Sequence, residues 1–361
     1  MRVADLDTPA LIIDLDVMER NLQRAADYAR EHSLRFRPHT KTHKIPALAR
    51  LQISMGAVGV TVAKTTEAEI MMKAEPPELL VAYPVLGPAK TKRLAQLAGQ
   101  TRLSVSIDSI AVARAISTAA AEAGVEIGVL LEIDAGLHRV GVTTGEALRQ
   151  LALEVTSLKG LRFEGLAFYP GHIKQMDPVA NVLLRAVEDS LQTAICTLSR
   201  LGLKADVVSG GSTPALFFSH VLRSMNEIRP GTYIFNDRNT VYAGACGWGD
   251  CAASLLTTVA STSVKDRVIL DAGSKTFSSD RTVEPGFGII VEAPDAYFEK
   301  MNEEHGFVDT EKCSRSWRVG EKVRVIPNHI CVAMNLQERV YGIRGEEVVE
   351  IWEVEARGKL Q

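Results

Sequence analysis

Over the first two-thirds of this 361-residue chain, short β-branched runs alternate with longer amphipathic stretches, and few folds accept that order. The runs are Leu11–Leu15, Phe36–Pro38, Val58–Val62, Leu79–Ala82, Leu103–Ile107, Ile127–Ile133, Phe163–Phe168 and Val207–Ser209. Between them lie segments such as Val17–Glu31, Thr65–Lys73, Ile110–Ala123 and Ala180–Leu201, whose apolar residues recur three and four apart, the period of a helix with one buried face. Eight strand–helix units at even spacing predict a parallel (β/α)8 barrel of the TIM type. An open doubly wound sheet fits the count and spacing less well.

After EIRPGTYIFND the pattern changes. Helical spacing gives way to SLLTTVAST, RVILDAG, GIIVEA, KVRVIPNH and VVEIWEVEA, short or alternating runs separated by Gly, Pro and charged turns. They predict an all-β C-terminal domain. We expect the barrel over residues 10–236 and the β-domain over 237–361, with residues 1–9 joining the latter. No repeat, low-complexity tract or flexible linker separates the two.

The balance of 46% hydrophobic and 24% charged residues is that of a globular protein. With a formal charge of −3 and cations spread along the chain, nothing marks a nucleic-acid or anionic-lipid surface, so a small molecule is the expected partner. The N-terminus has acids where a secretory signal would have a basic and then apolar stretch, and no apolar run approaches the ~20 residues of a membrane span. Five cysteines, an odd number, make a poor disulfide framework, and a cytoplasmic location is expected.

In a parallel barrel the chemistry sits at the C-terminal ends of the strands, and four motifs fall there. RPHTKTHK places Lys41 between His39 and His43; desolvation and neighbouring positive charge at a strand end lower an amine's pKa, as Schiff-base chemistry requires. A solvated basic loop would carry the same residues. SGGSTPALFF, with Ser209, Gly210, Gly211, Ser212 and Thr213, reads as a loop entering a helix, suited to phosphate or to a plain capped turn. EIDAGLHRVGV offers Arg139 to an anionic oxygen, or to solvent. FYPGHIKQ offers Tyr169 as a ring partner and His172 as a proton carrier or a structural histidine. In the β-domain, IPNHIC sets His329 and Cys331 two apart; on a strand both would face one side and could hold one metal, or be a buried pair. MNEEHG adds His305.

With these motifs in this order, together with LDTPALIIDLD, EIRPGTYIFND and DAGSKTFSSD, the chain resembles the D-threonine aldolase and D-serine dehydratase family, pyridoxal-phosphate enzymes with an alanine-racemase-like barrel. The resemblance runs along nearly the whole chain. It implies that Lys41 carries the pyridoxal 5'-phosphate, with His39 beside it, that Arg139 contacts the ring hydroxyl, that Tyr169 and Tyr233 lie near the ring, and that the loop Gly210–Thr213 holds the phosphate. It further implies that His329 and Cys331 bind a divalent metal that meets a substrate 3-hydroxyl. Lys275 and Asp280 would lie close to the site, and the enzyme would be a homodimer acting on a D-amino acid.

Two reactions fit. Retro-aldol cleavage yields glycine and an aldehyde; dehydration yields a 2-oxo acid and ammonia. The family's aldolases carry aspartate where this chain has Cys331, which suits manganese, whereas thiolate is soft and suits zinc. The pair therefore favours zinc and a dehydratase of the D-serine or D-3-hydroxyaspartate type. A D-amino-acid racemase would need no metal, and a non-catalytic pyridoxal-phosphate carrier would lack the β-domain.

Overall fold

The computed structural model describes residues 1–361, and the chain divides into two compact units. The first comprises Arg24–Lys41, Pro46–Gly231 and Gly358–Gln361; the second comprises Met1–Gln23, Thr42–Ile45 and Thr232–Arg357.

The earliest strand, β1 (Ala10–Asp14), belongs to the second unit. The next eight form a parallel sheet in the first: β2 (Arg35–Phe36), β3 (Val60–Val62), β4 (Glu78–Val81), β5 (Arg102–Ile107), β6 (Ile127–Glu132), β7 (Leu161–Ala167), β8 (Val207–Gly210) and β9 (Glu227–Ile228). Their hydrogen-bonded order is β2-β9-β8-β7-β6-β5-β4-β3. Beyond β2, His39 bridges Thr61 and the Thr61 N–H donates to the Pro38 carbonyl at 2.8 Å, so the sheet meets itself and closes as the expected barrel.

The helices follow from sequence in the ordinary way. The chain enters α1 (Leu15–Glu31) from β1, and α2 (Pro46–Ser54), α3 (Thr65–Met71), α4 (Pro88–Ala98), α5 (Ile110–Ala123), α6 (Glu146–Ser157) and α7 (Pro178–Ser199) link the barrel strands. In α7, Asp177 caps the Ala180 N–H and Pro178 starts the first turn, and Ala180, Leu184, Val187, Leu191, Ala194 and Leu198 make its buried stripe.

The barrel interior is unusually ionic. Arg37 Nη2 donates to Glu227 Oε2 at 2.8 Å and to Glu78 Oε2 at 2.7 Å, while Arg35 Nε reaches Glu227 at 3.1 Å. The Ser209 hydroxyl donates to Glu227 Oε1 at 2.6 Å. Neither Arg37 nor Glu227 meets solvent to any extent, at 2% and 0% exposure. One layer along, burial pushes the Glu164 carboxyl up, yet hydrogen bonds from Ser104, Arg162 and Arg102 outweigh it and leave Glu164 below its ordinary range.

The second unit is mostly β. Its strands are β10 (Ala253–Ser261), β11 (Arg267–Leu270), β12 (Gly288–Ile290), β13 (Tyr297–Met301), β14 (Gly306–Asp309), β15 (Lys322–Pro327), β16 (Arg339–Arg344) and β17 (Glu347–Glu353), with short helices α8 (Arg238–Tyr242), α9 (Ser274–Phe277) and α10 (Ile330–Leu336). Its main path runs β13-β14-β11-β10-β1-β16-β17, with β15 pairing β10 and β12. Val3, Leu6, Ala10, Ile12, Leu256 and Ile343 share one core cluster there.

One strand expectation needs correction. Leu11–Leu15 is not a barrel strand: β1 pairs antiparallel with β10 and parallel with β16. A strand buried on both faces shows the same continuous apolar run in either sheet, so periodicity cannot assign it. The remaining barrel strand is β9, two residues long and so without a readable pattern. No helix is long and apolar enough to cross a membrane.

The ion network yields a test. Glu227→Gln removes the charge between buried Arg37 and half-exposed Arg35 and should cost about 3–5 kcal/mol, read as a fall in the denaturant midpoint; an unchanged midpoint would show that Glu78 alone satisfies both arginines.

Candidate active site

Lys41 follows β2 in a 3₁₀ turn, Thr40–Thr42. The Thr40 hydroxyl, within 3.1 Å of both the Thr61 carbonyl and Glu67 Oε1, pins that turn, and the Lys41 N–H donates to His39 Nδ1 at 3.4 Å. Of the motif's two lysines, Lys44 is buried and donates to Asn335 Oδ1 at 2.6 Å. Lys41 is exposed, not stripped of water as its sequence context led us to expect. A long side chain at a barrel rim stays in solvent until something binds over it.

The loop after β6 is folded on Asp134, whose Oδ1 accepts the Gly136 and His138 N–H groups at 3.0 Å each and whose Oδ2 lies 2.6 Å from His138 Nδ1. Burial raises the Asp134 carboxyl, but these bonds hold it below its usual value. Arg139 is exposed, with its guanidinium carbon 4.8 Å from the centroid of the Tyr169 ring, so the two predicted cofactor contacts do meet. After β7, the His172 ring packs on Gly136, where an added Cβ would come within 3.1 Å of it. Its Nδ1 is buried without a protein partner. Burial lowers the His172 pKa; Asp134 opposes that shift and His138 adds to it.

The glycine loop leaves β8. A Cβ on Gly210 would fall 2.3 Å from the Phe168 ring, and Gly211 has φ +85°, so both positions require glycine. Ser212 Oγ accepts the Ala215 N–H at 3.4 Å, and Ser212 and Thr213 are both buried. The following element is a 3₁₀ turn, Leu216–Val221, not the expected α-helix, so any anion would rest on loop N–H and hydroxyl groups more than on a helix dipole. Ser209, expected among the cofactor contacts, has its hydroxyl committed to Glu227.

Sequence reasoning missed Arg229. It is buried, its Nη2 donates to the Phe168 and Ser209 carbonyls at 2.9 and 3.3 Å, and its Nε lacks a protein partner. It thereby ties the ends of β7 and β8, from which Tyr169 and the glycine loop project. An arginine within EIRPG was the only sign.

In the second unit, His329 and Cys331 are not on a strand. β15 ends at Pro327, His329 is the extended residue before α10, and Cys331 lies in its first turn. Their side chains converge all the same. Asp237, fully buried, faces His329 Nδ1 at 3.2 Å and accepts the Ile330 N–H at 3.0 Å. The negative Cys331 sulfur, and Asp237 beyond it, outweigh burial and hold His329 up at about 11. The Thr42 and Thr232 hydroxyls lie 3.2 and 3.6 Å from Cys331 Sγ. Thr42, which follows Lys41 in the sequence, belongs to this second unit. Tyr233 is buried in the 3₁₀ turn Thr232–Ile234. Lys275 is exposed and paired with Glu304 at 2.7 Å, the Asp280 N–H donates to Ser278 Oγ, and His305 is exposed.

Residues 13–239 match the family model described as alanine racemase, N-terminal domain, and residues 252–343 match the putative serine dehydratase domain. A 3-hydroxy-D-aspartate aldolase of Paracoccus denitrificans is 33% identical across 99% of this chain and 94% of its own length. A D-threonine aldolase of an Arthrobacter species is equally similar over the same shares. The chain belongs to the alanine-racemase-like family of D-threonine aldolases and D-serine dehydratases.

Among solved members of this family, D-threonine aldolase from Filomicrobium marinum superposes with a TM-score of 0.93 at 35% identity, covering 99% of this chain and 98% of that one. D-threo-3-hydroxyaspartate dehydratase from Delftia gives 0.90 at 30% identity, covering 98% of each. That dehydratase has been solved with a cysteine replaced by alanine, in a metal-free form, and with a histidine two positions earlier replaced by alanine. His329 and Cys331 have the same spacing.

His172 should titrate below the ordinary value of about 6.5, because burial opposes its charged form. The folded state therefore disfavours the proton, and stability contributed at neutral pH is lost as the pH falls through the unfolded value. Imidazole NMR of the wild type against His172→Gln reads this midpoint; a value at or above the ordinary one would refute the burial argument.

Proposed function

We propose that the protein is a pyridoxal-phosphate-dependent, metal-assisted lyase for D-amino acids carrying a 3-hydroxyl, and that it dehydrates them to a 2-oxo acid and ammonia. The observation that carries the choice is the His329–Cys331 pair backed by Asp237. An imidazole and a thiolate that together retain a proton up to about pH 11 would hold a soft divalent cation in its place, and zinc suits that donor set. Asp237 facing Nδ1 leaves Nε2 as the ligand nitrogen, the usual carboxylate–histidine–metal arrangement.

The barrel residues fit pyridoxal 5'-phosphate. Lys41 is the motif's presented amine and would be its point of attachment. The Gly210–Thr213 loop offers the close backbone approach a phosphate requires, and Arg139 and Tyr169, already stacked, would meet the ring. When bound, the cofactor supplies an electron sink for charge left at Cα, and the metal a Lewis acid for the 3-hydroxyl. Lys41 would hold the cofactor, and its amine would move the proton at Cα. His172, kept neutral by burial, is placed to accept or deliver the second proton. A homodimer is the expected assembly.

The second reading is retro-aldol cleavage to glycine and an aldehyde. The similarity to aldolases at 33% identity and the 0.93 superposition favour it. In that case His172 takes the 3-hydroxyl proton and Lys41 does not act at Cα.

Two experiments test the reading. Purified protein should absorb in the visible, Lys41→Ala should abolish both that band and turnover, and D-threonine with zinc should give 2-oxobutanoate and ammonia. Glycine with acetaldehyde would establish the aldolase instead, and a band surviving Lys41→Ala would misassign the lysine. Asp237→Asn keeps a helix cap but loses the charge behind His329, so zinc affinity measured by competition with a chromophoric chelator should fall roughly 10–100-fold; no change would separate Asp237 from the metal.

A further inference from the structure

Two cysteines take no part in the chemistry above. Cys246 and Cys251 flank Gly247–Asp250, a four-residue turn closed by the Gly247 N–H on Asp250 Oδ2 at 2.9 Å and by the Asp250 and Cys251 N–H groups on the Gly247 and Trp248 carbonyls. The turn folds the chain back so that the two thiols share a hydrogen bond. Both side chains are partly exposed, and Trp248 at the turn's apex is 41% exposed.

The pair is wired to a buried carboxylate. Cys246 Sγ donates to Thr240 Oγ1 at 3.5 Å. That hydroxyl oxygen accepts the Asp237 N–H at 2.7 Å and donates to the Asp237 carbonyl at 2.8 Å, while the Thr240 N–H donates to Asp237 Oδ1 at 2.9 Å. The other oxygen, Oδ2, accepts the Ile330 N–H and faces His329. One hydrogen-bonded chain thus runs Cys251, Cys246, Thr240, Asp237, His329.

We propose that Cys246 and Cys251 are a modification site, a dithiol that a low-molecular-weight disulfide such as glutathione disulfide closes reversibly, and that the Asp237 cap loosens when it closes. The Cys246 thiolate attacks one sulfur of the small disulfide and expels one thiolate. The Cys251 thiolate then attacks the Cys246 sulfur of the mixed disulfide and expels the second. Two protein thiols are oxidised to one disulfide, one small disulfide is reduced to two thiols, and the two protons pass to the departing thiolates. The assignment of Cys246 as attacker follows from its neighbour: the hydrogen bond from Cys251 stabilises the Cys246 thiolate and keeps it below the ordinary thiol range, against burial.

Closure has a local consequence. A disulfide sulfur has no proton to give, and Cys246 Sγ must turn from Thr240 towards Cys251. Thr240 then loses one of the contacts that hold its hydroxyl in the Asp237 cap. Since Asp237 also orients His329, the effect extends to the metal pair; that extension rests on the function proposed above, so the test is read on amides and masses, not on metal or turnover.

Full-length protein is treated with glutathione disulfide, blocked with N-ethylmaleimide and digested without reductant. The peptide spanning Cys246 and Cys251 should be lighter by two hydrogens and free of maleimide, and dithiothreitol should reverse this. Maleimide on both cysteines, or a lasting glutathione adduct on one, overturns the site. In hydrogen exchange, the Thr240 and Ile330 amides should exchange roughly fivefold faster in the oxidised protein, the effect of one net hydrogen bond lost. Equal rates overturn the link to Asp237. Cys246→Ser retains a hydroxyl donor to Thr240 and should show no response to glutathione disulfide in either measurement; a response in the variant would place the effect elsewhere.

Discussion

A single buried carboxylate, that of Glu227, joins the seam at which the barrel closes. It stands on β9 and holds Arg35 on β2, Arg37 just after it, and Ser209 on β8. Those two neighbours are the strands that lead into Lys41 and into the glycine loop. Two-residue strands such as β2 and β9 have too few ladder hydrogen bonds to fix their own register, so the charges do it. A hydrophobic filling of equal volume would often be as stable. It would not, however, prescribe which arginine faces which acid, and a slip of one residue would send the side chains of β2 to the opposite face of the sheet.

The same logic appears in the second unit around Asp237. There the carboxylate caps α8 through Thr240, takes the Ile330 N–H at the head of α10, and faces the imidazole of His329. Three contacts on one residue mean that its position is overdetermined, and with it the orientation of His329 beside Cys331. The raised pKa of His329 is the electrostatic face of this arrangement. If this pair binds a metal as proposed, it must give up that proton to do so, and metal uptake would weaken as the pH falls.

Much of this was legible in the sequence because function sits on short motifs punctuated by Gly, Pro and His. Lys41, Arg139, Tyr169, His172 and Gly210–Thr213 fall at strand ends as their motifs implied, and Arg139 and Tyr169 meet. What was illegible involves pairs distant in sequence or strands too short to show a period. Glu227 and Arg37 are 190 residues apart, so neither announces its partner. β9 has two residues, and β1 reads equally well as a member of either sheet. His329 and Cys331 meet although the strand argument that joined them fails, because an extended residue followed by a helical turn also brings positions two apart together. Their convergence depends on Asp237, which no local pattern reveals.

The division between carbon–carbon and carbon–oxygen cleavage is then a question of which group acts first on the substrate, and the residues constrain it. A proton on the 3-hydroxyl must leave for an aldol cleavage, whereas hydroxide must leave for dehydration. Under the proposed function, a neutral His172 would serve the first, and a Lewis acid held by His329 and Cys331 would supply the chemistry for the second. Thiolate donates more charge to a metal than carboxylate does, which makes the metal a weaker acid towards the hydroxyl proton but a tolerant partner for a released hydroxide. Here Cys331 Sγ donates to the Thr42 hydroxyl oxygen at 3.2 Å.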